Sequence, residues 1–205
     1  MVGALRGGLR SAVTRPGGIA KHVSLASPTL LAVAAESGSR YDPRMSEAVN
    51  NQGFRDAMAH FASGVTIVAT MDGGTPNGLT ATAFSSVSMA PPLVLVCVAH
   101  TASAFDAIVA AEHVGISVLA EAQAWIATQF ARHGGDKFGG VPLVPGRRVP
   151  LVEGALAHIE GRKHARHEAG DHTIFLFEVV DVRSEPGRPL LHFARRLGGL
   201  GADVA

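Results

Sequence analysis

Between residues 64 and 98 three β-patterned segments follow one another, GVTIVAT, GLTATAFSSVS and LVLVCV, joined only by MDGGTPNG and MAPP. The first alternates β-branched residues, and the Gly, Pro and Asn of the first connector are hairpin-turn residues. Pro91 and Pro92 interrupt pairing before the third, whose unbroken apolar run predicts burial on both faces. The middle segment is odd among them. It offers Thr80, Thr82, Ser85, Ser86 and Ser88 with only Phe84 large, so either something lies against its backbone or it is an edge strand whose hydroxyls face water.

The rest of the chain keeps this character. Phe54, Ala57, Met58 and Phe61 recur at helical spacing in NNQGFRDAMAHFAS and predict an amphipathic helix. TASAFDAIVAAE reads as a short helix with Thr101 or Ser103 as its N-cap, and VGISVLA as a strand. EAQAWIATQFA is a further helix with one apolar edge over Trp125, Ile126, Gln129 and Phe130, followed by the long Gly- and Pro-rich loop ARHGGDKFGGVPLVPGRRVP. The segment 151–168, TIFLFEVVDV and LLHFA complete the set as strands. Strands outnumber helices and short turns link most of them, which predicts a mainly β fold, an antiparallel barrel with peripheral helices, rather than a doubly wound sheet.

With 205 residues and a formal charge of +1, the chain has length for a core but no concentrated basic character to attract nucleic acid or an anionic membrane. No apolar run approaches the ~20 residues of a membrane span. The single Cys97 excludes an internal disulfide and fits a reducing, cytoplasmic setting. Residues 1–44 differ: Arg6, Arg10, Arg15 and Lys21 precede the first acidic residue, Glu36, with no sustained period. They read as a flexible extension, with Met45 as the working start, in preference to a targeting segment, and the domain is assigned to 45–205.

Several chemistries find no support. GxGxxG after a strand, a Walker glycine loop and a GxSxG elbow are all missing, so a Rossmann or P-loop nucleotide site and a serine hydrolase are not indicated. In HIEGRKHARHEAGDH, His164 and His167 lie three apart on a predicted strand and point to opposite faces, which argues against a metal site. His172 stands apart, at a Gly-Asp-His turn ahead of an apolar strand, where a side chain at a barrel rim can face a pocket. Ser103 at a helix start, aided by Arg132 or Lys137, forms a candidate phosphate site. A hydroxyl-rich strand for a flat heteroaromatic ring, a phosphate site and a covering loop match the parts of a flavin mononucleotide.

The ordered set FASGVTIVAT, GLTATAFSSVSMAPPLVLVCV, TASAFDAI, ISVLAEAQ, FARHGGDKFGGV, LVEGALAHIE, GDHTIFLFEVV and RPLLHF resembles the flavin reductase-like proteins. The likeness is strongest to reductase components of two-component flavin-dependent monooxygenases of the nitrilotriacetate monooxygenase type. It implies an FMN-binding split β-barrel with Greek-key order, a homodimer, FMN or FAD as flavin, NADH or NADPH as reductant, and a monooxygenase that receives reduced flavin by diffusion. Under it, Thr80, Ala81, Thr82, Ala83, Phe84, Ser85 and Ser86 lie along the isoalloxazine, with Cys97, Val98 and Ala99 beside it. Ser103 and Ala104 meet the phosphate region, Phe130, Ala131 and Lys137 close over the ribityl or nucleotide end, and His172 positions the nicotinamide. Two positions depart from the family pattern: Thr82-Ala83 replaces a frequent Asn-Ser, and Leu197 stands where a Tyr is common. Hydride transfer from nicotinamide to flavin is intrinsic to those reagents, so the protein's part is alignment and electrostatics, and no acid-base dyad is required.

Overall fold

The computed structural model describes residues 50–145 and 147–201. The extension assigned to residues 1–44, and Met45 as a start, lie outside the described residues.

Helix α1 (Asn51–Ala59) opens the described chain, capped by the Asn50 carboxamide oxygen, which accepts from Gln52 N at 2.8 Å. Its periodicity predicts an apolar face, and the face exists, yet it has no cover within the chain. No residue of the helix is buried, and Phe54, Met58 and the following Phe61 are 57%, 53% and 73% exposed.

Strands β1 (Ser63–Gly64), β2 (Thr66–Asp72), β3 (Thr75–Ala81), β4 (Phe84–Met89) and β5 (Pro92–Ala99) follow. The β2–β3 hairpin turns on Gly73 and Gly74 alone, both at positive φ (54° and 88°), as a two-residue loop of this hand requires. Thr75, Pro76 and Asn77, read from the sequence as turn, belong to β3. Helix α2 (Phe105–Ala110), β6 (His113–Val118), a 3-10 turn (Glu121–Gln123) and helix α3 (Ala124–Phe130) lead to the long strands β7 (Ala157–Ala169) and β8 (His172–Ser184). Two short strands close the chain, β9 (Leu191–Phe193) and β10 (Arg196–Gly198).

Seven strands form one antiparallel sheet in the order β3-β2-β6-β7-β8-β5-β4, while β9 sits between β1 and β10 in a three-stranded sheet. This is the mainly β, antiparallel architecture the strand succession predicts, in the split form the family resemblance implies. The large sheet rolls so that Val68, Leu79, Val94, Val96, Val98, Val114, Ile116, Phe175 and Phe177 share one core with Ile108 of α2. A second core on the outer side joins Val65, Ile67, Ala69, Leu119, Leu190 and Val152 to Ile126, Ala127 and Phe130 of α3. β2 divides the two: Val68 faces one and Ile67 and Ala69 the other, which is why Thr66 through Thr70 are all buried.

Two expectations are corrected. β5 is buried on one face only: Val94, Val96 and Val98 are in the core, whereas Leu93, Leu95, Cys97 and Ala99 are half-buried. Its apolar run reflects one packed face and one that a single chain leaves partly open. Trp125 is 48% exposed, and the buried edge of α3 is Ile126, Ala127 and Phe130.

Rolling brings β3 and β4, the two ends of the strand order, toward each other without a ladder between them among the described residues. The bend Thr82–Ala83 joins them, and Ala83 O accepts from Cys97 N at 3.0 Å. A cleft opens beside this bend, between β3 and β5.

Candidate functional site

This cleft has a volume of about 310 Å³. Its wall on one side is Leu79 to Ala83, the end of β3 and the bend after it; on the other are Cys97 to Ala99 of β5 and Thr101 to Ser103 beyond it. Phe130 to His133 and Lys137 enclose it from the end of α3 and the loop that follows, and His172 enters from the start of β8. His172 is directly opposite Ala99 in the β5–β8 ladder, which fixes its place beside the β5 end. Thus the expected residues Thr80, Ala81, Thr82, Ala83, Cys97, Val98, Ala99, Ser103, Phe130, Ala131, Lys137 and His172 converge on one space.

Four expected residues do not line it. Ser85 and Ser86 are exposed on β4, an edge strand; Phe84 packs against the inner core; Ala104 is 1% exposed and borders a neighbouring cleft. The Thr- and Ser-rich run therefore divides at Ala83. The half before Ala83 faces the cleft, and the half after it is an edge strand with hydroxyls in water.

As an edge strand β3 pairs only with β2, so half of its backbone N–H and C=O groups point away from the sheet and are available to a ligand. One of them, Gly78 O, accepts from Lys137 Nζ at 3.2 Å. Gly78 is itself dictated by close packing: a Cβ there would stand 2.9 Å from Phe130 Cε1 and 3.0 Å from Val68 O. Thr80 serves the scaffold, since its hydroxyl donates to Ala127 O at 2.7 Å and ties α3 to β3.

Lys137 Nζ also donates to Ser103 Oγ at 2.8 Å. Ser103 does not cap the helix as its position in the sequence predicts; the N-cap is Ala104, no side chain caps α2, and the hydroxyl is turned to the lysine instead. Burial holds the Lys137 ammonium below the usual lysine range. Its two recorded partners are neutral, and among the described residues no carboxylate pairs with it.

Residues that sequence reasoning missed hold this lysine in place. Gln129, read as part of an apolar edge, donates from Nε2 to Lys137 O (2.9 Å) and Gly139 O (3.0 Å). Asp136 Oδ1 accepts from Phe138 N and Gly139 N at 3.0 and 2.9 Å, folding the Gly-rich segment into a turn. Phe138 sets its ring edge-on to Phe130 with centroids 4.8 Å apart. The Asp136 turn is the part the sequence signals, through an Asp between glycines.

At the other wall, His172 Nδ1 lies 2.7 Å from Asp171 Oδ1, and that hydrogen bond, reinforced by charge, lowers the Asp171 carboxyl's pKa. Burial pushes the Cys97 thiol up, so it lines the cleft as a neutral thiol and not as a nucleophile. His164 and His167 join no metal-binding group, and no cluster of three or more candidate ligands occurs among the described residues. No helix among them is long and apolar enough to cross a membrane.

The family model described as "Flavin reductase like domain" matches residues 58–201. The chain is 44% identical over 149 residues to a protein named actinorhodin polyketide dimerase from Streptomyces coelicolor, covering 71% of this chain and 84% of that one. It is 40% identical over 145 residues to the reductase component of 4-nitrophenol 4-monooxygenase/4-nitrocatechol 2-monooxygenase from Rhodococcus opacus, covering 71% of this chain and 78% of that one. Among solved structures it resembles the NADH:FAD oxidoreductase of Streptomyces globisporus in complex with NAD and FAD fragments, with a TM-score of 0.72 and 36% identity. That likeness covers 80% of this chain and 98% of the other.

Proposed function

Because the chain belongs to the flavin reductase-like family, we propose that the cleft between β3 and β5 is where it binds a flavin and has it reduced by NADH or NADPH. The single observation that carries this assignment is Lys137: a half-buried cation with only neutral partners, held at the mouth of a cleft walled by small side chains and by the free edge of β3. A partly buried cation whose partners are all neutral is ready to receive an anion, and a flavin phosphate supplies one. The small residues Ala81, Thr82, Ala83 and Ala99 leave width for a flat ring system beside an edge that has hydrogen-bonding groups to spare.

When bound, the flavin and the nicotinamide supply the redox chemistry themselves, a hydride passing from the second to the first. The protein's residues do the rest. Lys137 and Ser103 would hold the phosphate; edge amides of β3 and the bend after it would meet the polar rim of the ring and favour the negative charge that reduction places there. Phe130, Phe138 and the turn built on Asp136 exclude water from that end. His172, tethered by Asp171, would orient the nicotinamide.

We assign the active form to a homodimer. The uncovered face of α1 supports this, since Phe54, Met58 and Phe61 line an apolar groove that also includes Thr82 and Ala83 of the cleft wall. A second copy seated there would cover the exposed side of the cleft. The reduced flavin passes by diffusion to a partner monooxygenase, in keeping with the reductase component to which the chain is similar. We assign this work to the cytoplasm, a reading the lone, unpaired Cys97 supports.

Mixing the protein with excess FMN or FAD and NADH under anaerobic conditions tests the assignment. Catalytic bleaching of many flavins per protein is expected; bleaching limited to one equivalent marks a flavin-binding protein without turnover.

A further inference from the structure

His100 stands between two residues that line the cleft, Ala99 and Thr101, and does not itself line it. It is tied instead to the turn from which His172 emerges. Its backbone N–H donates to Asp171 O at 3.0 Å, one step past the Ala99–His172 pair of the β5–β8 ladder. Its ring Nε2 faces two oxygens, Thr173 Oγ1 at 3.1 Å and Glu168 Oε2 at 3.2 Å. A carboxylate only accepts, so Nε2 carries a proton, and the Thr173 hydroxyl is left to donate its own to the Glu168 carboxylate at 3.2–3.3 Å. The His100 ring meets Phe105 edge-to-face with centroids 5.1 Å apart, and Phe105 packs against the inner core.

These contacts join β5, β7 and β8 at one end of the sheet. Glu168 and Thr173 are directly opposed in the β7–β8 ladder, and the hairpin between those strands turns on Gly170 and Asp171 alone, with Gly170 at φ 68°. Thr173 is fully buried, where a hydroxyl without partners is costly, so the cluster holds the start of β8 in one position. Successive residues of a strand point to opposite faces. With Thr173 held on the inner face beside Phe175, His172 is presented on the other, to the cleft.

We propose that His100 is a positioning residue for the reductant: through Thr173, Glu168 and the Asp171 carbonyl it holds the hairpin that presents His172 to the nicotinamide. This rests on the flavin-reductase reading. His100 touches neither flavin nor nicotinamide, and its effect passes through His172.

The test measures kcat/KM for NADH with FMN as acceptor, and FMN affinity by fluorescence titration. The proteins compared are the parent chain, His100→Leu, His100→Gln, His172→Ala and the double variant of His100→Leu with His172→Ala. Leu keeps bulk against Phe105 without a polar atom, whereas Gln returns an N–H donor in the place of Nε2. His100→Leu is expected to lower kcat/KM about five- to tenfold with FMN Kd held within about twofold, and His100→Gln to recover most of that loss. In the His172→Ala background, His100→Leu is expected to cost nothing further, because the residue it positions is gone. Parent-like kcat/KM in His100→Leu overturns the proposal, and so does an equal loss with and without the His172 ring, which marks a merely structural role. Retained FMN affinity shows that the variant is folded. Should His100→Leu lose it, Glu168→Ala carries the same comparison at a side chain that is 69% exposed, with the same outcomes deciding. A parent chain that reduces no flavin overturns the flavin-reductase reading instead.

Discussion

Lys137 Nζ and Ser103 Oγ stand 2.8 Å apart although 34 residues separate them, and their contact lines both clefts. If this lysine is the anion anchor, Lys137→Ala should weaken FMN binding by about 1.5–3 kcal/mol, roughly ten- to a hundredfold in Kd. Riboflavin, which lacks the phosphate, should bind as before. Equal losses for both flavins would place the lysine's role in folding the loop.

The same residue predicts a pH dependence. Burial lowers the Lys137 pKa in the empty protein, and a bound phosphate, being of opposite charge, raises it again. Between those two values binding takes up a proton, so FMN affinity should fall as pH rises below the usual lysine range. Riboflavin affinity should stay flat over the same interval. The sign for stability is opposite: the empty protein binds fewer protons at this site than the unfolded chain does, so it gains stability as pH rises through the lowered value toward 10.5. Kd measured from about pH 7 to about pH 10 reads the first effect, and urea midpoints read the second.

Ala83→Leu should reduce flavin affinity at least about tenfold while sparing the fold, because Ala83 is exposed to the cleft and three added carbons intrude on the ring's space. Ser86→Ala is the contrasting variant. Ser86 lies on the exposed edge strand, so its replacement should change Kd by less than about twofold. Wild-type affinity in Ala83→Leu would remove the β3 wall from the flavin site.

His172→Ala should leave flavin Kd nearly unchanged and raise KM for NADH or lower kcat. The residue lines the cleft beside Ala99, its partner in the β5–β8 ladder. A steady-state comparison with flavin titration separates these effects, and a loss confined to flavin binding contradicts the assignment.

Phe54→Glu combined with Met58→Glu should yield a monomer by light scattering, since both side chains are more than half exposed in a single chain. Flavin affinity should fall with it, because the same groove reaches Thr82 and Ala83. A variant that remains dimeric places the interface elsewhere.

Much of the fold was legible because its causes are local. The β2–β3 turn rests on two adjacent glycines, α1 on a repeat of apolar residues within three turns, and the β4–β5 turn on Ala90 and Pro91, although Pro92, read as part of the interruption, already belongs to β5 and pairs with Met89. The cleft wall at Thr80 to Ala83 was legible for the same reason, as a run of small residues in a β pattern, and the order of motifs along the chain carried the family resemblance.

What the sequence by itself determined was therefore most of the strands, though not β10 or the start of β3, the hairpins joining neighbours, and the composition of one cleft wall. Tertiary structure alone decided that the Thr- and Ser-rich run divides at Ala83 into cleft and edge, because that depends on which strands end the order β3-β2-β6-β7-β8-β5-β4. It also decided that Ser103 meets Lys137 rather than capping α2, and that Gln129 holds the loop instead of packing in a core. A short polar side chain has several local partners of similar worth, each about 1 kcal/mol, and only the long-range pairing of strands settles which of them lies within reach.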